Sequence, residues 1–287
     1  MIIVTGATGQ LGSQIVERLL ERVPATEVGV SVRDPDRAKD LAARGVRVRC
    51  GDFADPGTLE AAFEGAAQVL VVSVDRLGEA AVAQARTAID AAYRSGAGRV
   101  LYTSHQAASP DSRFAPGRDH AAVEAYLAEY GHPFTSLRNG YYATTSLRAH
   151  IGAAVQTGEL VAPADGPVSW TAPADLAEAA AAILAGTGRF DGPTPPLTAA
   201  STADLEEVAG MLSAVSGRTV RRVVIDDEEY VAHLVGHGTP EPFARLFLGS
   251  FHAARRGEFA ITGPALGTLI GREPQPIRAS IEAIMAR

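Results

Sequence analysis

The sequence predicts an α/β fold, a doubly wound parallel sheet followed by a smaller, partly helical region. Three observations predict it. Short apolar runs alternate with helical patterns over the first 140 residues, the first run ends in a glycine-rich turn that opens a helix, and past Asn139 the rhythm gives way to helical patterns broken by prolines.

Taken in order, Ile2–Thr5 is a short β-rich run. Residues 9–22 follow with Leu11, Ile15, Leu19 and Leu20 on one helical face, and Val28–Val32 is the second strand. Asp34-Pro35 reads as an N-cap with proline at the first helical position, opening a helix that runs to about residue 44. Strands at 46–50 and 68–73 precede a long helix at 79–95. A strand at 99–104, a helix at 120–130 and a strand at 134–137 complete this half. Each helix carries the chain back across the sheet, so the strands pair parallel. In the second half, 177–184 and Leu205–Ser216 are the clearest helices and 220–225 is a short β run. One segment near 196–200 is expected to return to the sheet.

Composition narrows the function classes. The chain has 287 residues, 46% hydrophobic and 21% charged, enough for one large domain or one and a half. Its net charge of −7 and lack of a basic tract argue against a nucleic-acid binder. No apolar run approaches the roughly 18 residues a membrane helix needs. The N-terminus, MIIVTGATG, shows no basic segment or cleavage site, so the expected location is the cytoplasm. A single cysteine, Cys50, excludes an intrachain disulfide and agrees with a reducing compartment. Because it ends a strand, Cys50 is expected to be a buried filler. No metal site is expected.

Gly6, Gly9 and Gly12 form G-x-x-G-x-x-G directly after the first strand and open a helix, with a second strand about 20 residues on. Gly6 makes the tight turn, Gly9 lets the backbone approach a pyrophosphate at the helix N-terminus, and Gly12 allows close helix–strand packing. Gly6, Thr8, Gly9, Gln10, Leu11 and Gly12 are therefore candidate cofactor contacts in a Rossmann-type sheet. We divide the chain at residue 140, with 1–140 binding NAD(P) and 141–287 forming a smaller substrate-binding region.

Cofactor choice is written at the end of strand two. An acid there would bond the ribose 2′-hydroxyl of NAD; Arg33 stands there instead, and Lys39, the only lysine in the chain, lies one turn into the next helix. Both suit a 2′-phosphate, which favours NADP over NAD. Asp52 with Phe53, and Ser73, sit at carboxyl ends of parallel strands, where open α/β sheets bind ligands. For Asp52, contact with adenine and simple turn capping both stand.

Gly6–Gly12, Arg33 and Asp52 together resemble the atypical short-chain dehydrogenase/reductase superfamily. Tyr102-Thr103-Ser104, Asp119-His120 with Glu124 four residues on, Leu137-Arg138-Asn139-Gly140-Tyr141-Tyr142 and Leu269-Ile270-Gly271-Arg272-Glu273-Pro274 resemble its NmrA-like branch. Within that branch the likeness is to the quinone oxidoreductase type 2 and triphenylmethane reductase group, and it covers nearly the whole chain. It implies hydride transfer from NAD(P)H to a quinone-like or other electrophilic conjugated acceptor. An NAD(P)-binding redox sensor without turnover is the alternative it also implies. Ser104 and Asn139 join the cofactor candidates, and the partner is a small aromatic or quinone-like molecule, met by a monomer or homodimer.

One departure from the superfamily has chemical weight. Typical members carry Tyr-x-x-x-Lys on the helix after strand five, the lysine lowering the tyrosine pKa for proton transfer. Here His120 and Glu124 take those places. Four-residue spacing puts them on one helix face, so Glu124 is expected to orient and charge His120. A proton-donating His120 and a merely structural His–Glu bond both stand. Tyr142 is a third catalytic candidate. Tyr141, Tyr142 and His105 are candidates for the acceptor slot, with ordinary packing between the halves as the other reading of the tyrosines and a buried or solvated loop histidine as the other reading of His105.

Overall fold

The computed structural model describes residues 1–187 and 190–286. The chain runs β1 (Ile2–Thr5), α1 (Gln10–Leu20), β2 (Val28–Val32), α2 (Lys39–Ala43), β3 (Arg47–Cys50), α3 (Pro56–Phe63), β4 (Gln68–Val71), α4 (Glu79–Arg94), β5 (Arg99–His105), α5 (Ala115–Tyr130) and β6 (Phe134–Asn139). It continues through α6 (Ala143–Thr157), β7 (Glu159–Pro163), α7 (Pro173–Leu184), β8 (Gly192–Pro193), α8 (Leu205–Ser216), β9 (Arg221–Ile225), α9 (Asp227–Gly236), α10 (Glu241–Arg255), α11 (Ala265–Ile270) and α12 (Ile277–Met285).

Seven strands form one parallel sheet in the order β3-β2-β1-β4-β5-β6-β8, which reverses direction between β1 and β4. The inner strands β1, β2, β4 and β5 are buried on both faces, and their side chains alternate between two cores. Val4, Leu70, Leu101 and Leu137 pack with α1, α7 and α11. Ile3, Val69, Val71, Val100 and Tyr102 face α3, α4 and α5. The period of two thus assigns each strand residue to one helical layer.

The second half builds a core of its own around Trp170, Phe251 and Phe259, with α6, α8, α9, α10 and α12 around the short parallel pair β7-β9. It also completes the sheet. The returning segment enters earlier than expected, at β8, where Gly192 pairs with Thr135, and Leu197 then bridges Asn139. The Gly271-Arg272 turn closes on α7. The fully buried Asp175 carboxylate accepts from Arg272 Nη2 at 2.6 Å and from the Gln275 N–H at 2.6 Å. A buried charge needs such partners to offset its lost hydration.

Three expectations are corrected. Cys50 is exposed, because β3 is an edge strand paired on one side only, by β2. Helix α5 begins at Ala115, five residues before the expected start at 120; its first turn holds Pro116 and Gly117, which mask a helical pattern. Helix α3 adds an element after β3, capped by Asp55 in front of Pro56. Among the described residues no helix is long and apolar enough to cross a membrane.

Candidate active site

The glycine loop leaves β1 at Thr5 and turns at Gly6, whose φ of +61° suits glycine alone. The Gly9 N–H donates to the Gly6 carbonyl at 2.9 Å, and Gly9 is the N-cap of α1. A Cβ at Gly12 would fall 2.7 Å from the Gly6 carbonyl carbon and closer still to its oxygen, so the first turn of α1 rests directly on the loop backbone. No side chain caps α1, and its first turn holds no acid. Its leading N–H groups are left for an anion. Gly9 and Gln10 are exposed and Thr8 is half-buried, while the Leu11 side chain belongs to the core and offers only its backbone. Thr145, at the start of α6, donates to Gln10 Oε1 at 3.3 Å and draws the second half to the loop.

Around strands two to four, the candidates separate. Arg33 is exposed and makes no ion pair among the described residues. Lys39 pairs with Asp36 at 3.1 Å, both side chains more than 70% exposed, a contact worth little in water. Asp52 Oδ1 accepts the Ala54 N–H at 3.0 Å, which is turn capping. Phe53 packs partly against the α3–α4 core. At the end of β4 the Ser73 N–H donates to Thr103 Oγ1 at 2.8 Å, and Thr103 in turn donates to Ser73 Oγ at 3.1 Å.

The centre lies where β5, α5 and β6 meet. The expected Glu124–His120 pair does not form. Glu124 does lie one turn past His120, but its carboxylate turns toward the sheet, where three donors converge. Oε1 accepts from Ser104 Oγ and Ser136 Oγ, each at 2.8 Å, and from Arg138 Nε at 3.1 Å; Oε2 accepts from Arg138 Nη2 at 2.6 Å. A bidentate guanidinium and two hydroxyls outweigh one imidazole. The Ser104 proton is thereby committed to Glu124, which leaves Ser104 as an acceptor.

His120 instead meets Tyr102, with Nδ1 and the phenol oxygen 2.8 Å apart. Burial pulls the His120 pKa down to about 4, only partly opposed by the charge of Glu124, so the ring is neutral at physiological pH. Burial, reinforced by His120, pulls His105 lower, to about 3. His105 Nδ1 accepts the Ala107 N–H at 3.1 Å, so its own proton sits on Nε2. The His105 ring is enclosed by Phe114, Tyr141 and Phe259 at centroid distances of 5.1, 5.8 and 5.7 Å. Tyr141 belongs to the same cluster, 4.5 Å from Phe259 and 5.5 Å from Trp170. Tyr142 stands at the N-cap of α6 and accepts from Asn139 Nδ2 at 3.3 Å; burial raises its pKa. Asn139 Oδ1 is buried and has no donor among the described residues.

Beneath this centre, between α4 and α5, lies a cavity of about 240 Å³ whose walls include Phe53, Val82, Tyr102, Pro116, His120 and Val123. The sequence reading passed over Tyr102, Ser136 and Arg138 as functional residues. Strand alternation carried the signal for two of them, because Ser136 and Arg138, two apart on β6, face the same way as Glu124 requires.

A dinucleotide needs a pyrophosphate seat and partners for its nicotinamide carboxamide. The uncapped α1 N-terminus over a side-chain-free loop supplies the first. The orphaned Asn139 oxygen and the Ser104 lone pairs supply acceptors for the second. The residues present fit NAD(P).

Comparison with known proteins agrees with this geometry. The model of the NmrA-like family matches residues 1–264. Quinone oxidoreductase 2 of Escherichia coli (strain K12) is 33% identical over 284 residues, spanning 98% of this chain and 97% of that protein. The crystal structure of the E. coli NADPH-dependent quinone oxidoreductase complexed with NADPH superposes with a TM-score of 0.93 at 31% identity, over 99% of this chain and 100% of that one. The Citrobacter sp. triphenylmethane reductase complexed with NADP(H) superposes with a TM-score of 0.92 at 32% identity, again over 99% of this chain and 100% of that one. By the family match over residues 1–264 and likeness along nearly its whole length, the chain belongs to the NmrA-like family.

Proposed function

We propose that the chain is an NAD(P)H-dependent reductase, preferring NADPH, that delivers hydride to a quinone-like or other electrophilic conjugated acceptor. The observation that carries this reading is that His120, Glu124 and Ser104, at the centre of the site, are not set up to deliver a proton. His120 is neutral, the Glu124 charge is neutralised by Arg138, and the Ser104 proton is committed. Such a site suits acceptors that stabilise the product charge themselves and ask the protein mainly for positioning. The names of the relatives, which act on quinones and triphenylmethane dyes, support the same class.

In this reading residues 1–140 hold the cofactor and 141–287 the acceptor side, and the protein works in the cytoplasm on a small planar molecule. When bound, the cofactor supplies the hydride. The chain seats the pyrophosphate on α1 through the loop from Gly6 to Gly12, offers Ser104 and Asn139 as acceptors, and holds aromatic walls around the exchange. NADPH oxidation measured with a panel of quinones and cationic triphenylmethane dyes tests the reading. Tight NADPH binding with no turnover of any acceptor would replace it with the redox-sensor alternative, which a site poor in acids also suits.

Cofactor preference rests on Arg33, an exposed guanidinium with no ion-pair partner among the described residues at the end of β2. A charge-assisted bond to a 2′-phosphate contributes roughly 1.5–3 kcal/mol. Arg33→Ala should weaken NADPH about ten- to a hundredfold in calorimetric titration and leave NADH nearly unchanged. Equal losses for both would remove Arg33 from the choice.

A further inference from the structure

We infer that Tyr102 is a positioning residue that holds His120 in one tautomer, with the proton on Nε2, so that His120 presents a hydrogen-bond donor to the cavity between α4 and α5. The inference deepens the reading of His120 as part of a reductase site and rests on it for the role, though not for the tautomer.

Tyr102 lies on β5 with its side chain in the α3–α5 layer, 3% exposed, and its hydroxyl is 2.8 Å from His120 Nδ1. Burial and the nearby carboxylates of Glu124 and Asp119 raise the phenol pKa, so the hydroxyl keeps its proton. That proton has no other acceptor among the described residues. If Nδ1 were the donor, the phenol O–H of Tyr102, only 3% exposed, would have no acceptor among the described residues, whereas the half-buried His120 ring can leave its Nε2–H to the cavity. Donation therefore runs from Tyr102 to Nδ1, and a neutral imidazole that accepts at Nδ1 carries its hydrogen at Nε2. The ring lines the cavity, and no described residue takes Nε2. His105, its plane within 15° of the His120 ring at 6.3 Å, holds the same tautomer by accepting the Ala107 N–H.

A neutral N–H at this place polarises a carbonyl of the acceptor without giving up a proton. It does the work without the tyrosine–lysine pair of related folds, and without the carboxylate that Arg138 has taken. The titratable and charged groups around the ring are Tyr102 and His105 on β5, Asp119 and Glu124 on its own helix, and Asp75 and Arg76 across the cavity. Asp119 is itself engaged by the Gly78 N–H at 2.8 Å.

Long-range proton–nitrogen NMR of the imidazoles tests this directly on the full chain, with His120→Gln identifying the His120 signals. The wild type should show a protonated Nε2 and a bare Nδ1, unchanged between pH 5 and pH 8. Tyr102→Phe should introduce the other tautomer and lower kcat about two- to tenfold, the worth of one neutral hydrogen bond, while NADPH affinity stays the same. A wild-type ring protonated at Nδ1 overturns the inference whether or not Tyr102→Phe folds, and so does a Tyr102→Phe spectrum identical to wild type. The tautomer is read without any acceptor, so a chain that reduces nothing would fail the reductase reading and leave this one standing or falling by its spectrum.

Discussion

Gly9→Asp should lower NADPH affinity by about a hundred- to a thousandfold and at the same time raise the stability of the free protein. Gly9 has φ −89° and ψ 173°, extended backbone that any residue adopts, and a Cβ there meets only the Gly6 oxygen, at 3.2 Å. Aspartate is also among the best N-caps, and α1 lacks a side-chain cap, so about 1 kcal/mol of helix stabilisation is expected. The same carboxylate would occupy the place of the pyrophosphate. Two like charges about 4 Å apart repel by about 4 kcal/mol at the effective dielectric of a protein surface, which corresponds to roughly three decades of affinity. Gly12→Ala is the contrast, because its Cβ is driven into the Gly6 carbonyl and should lose binding and stability together. Calorimetric titration with NADPH alongside thermal unfolding separates the two. Near-normal affinity in a folded Gly9→Asp protein would remove the loop from the cofactor site.

The second large effect is acid destabilisation carried by histidines. Burial lowers His105 to about 3, and His120 and His150 to about 4, with the charge of Arg222 adding to the effect at His150. In the unfolded chain each returns to about 6.5. Between those values the unfolded state binds more protons, so stability is complete above about pH 6.5 and is lost as pH falls toward the folded values. Each histidine contributes a slope of up to about 1.4 kcal/mol per pH unit in that window. His105 is 8% exposed, while His120 and His150 are less enclosed, so the total slope should lie between that of one and that of three histidines. Urea midpoints should be flat from pH 9 to pH 7 and fall steeply between pH 6.5 and pH 4.5, less steeply in His150→Leu. A midpoint constant from pH 8 down to pH 5 would show that these rings take up protons in the folded state.

The parts of the fold governed by local pattern were legible in the sequence. β1 and β2 are runs buried on both faces between turn residues, and their ends coincide with the expected ones. α8 was equally plain, with Asp204 capping and Glu207 closing the capping box. Asp55-Pro56 carries the same cap signature as Asp34-Pro35, yet α3 went unread because its pattern is short and weakly amphipathic. What the sequence hid is long-range. The i, i+4 spacing of His120 and Glu124 is real, but the partner that decides Glu124 is Arg138 on another element. Exposure of Cys50 follows from β3 being the sheet edge, which strand order alone determines. Arg272 similarly finds Asp175 across 97 residues of chain.

The sheet's cover is encoded far downstream of the sheet. Helix α1 packs against α7, and the free side of β6 is paired by β8, both from beyond residue 172. During synthesis the first six strands are therefore finished while one apolar layer and one strand edge still lack their partners. For the time taken to translate roughly fifty more residues, at about 5–20 residues per second, the nascent chain presents a surface open to aggregation. Its yield in a cell should accordingly depend on how quickly residues 173–193 leave the ribosome, and on chaperones that hold the unfinished face until they do.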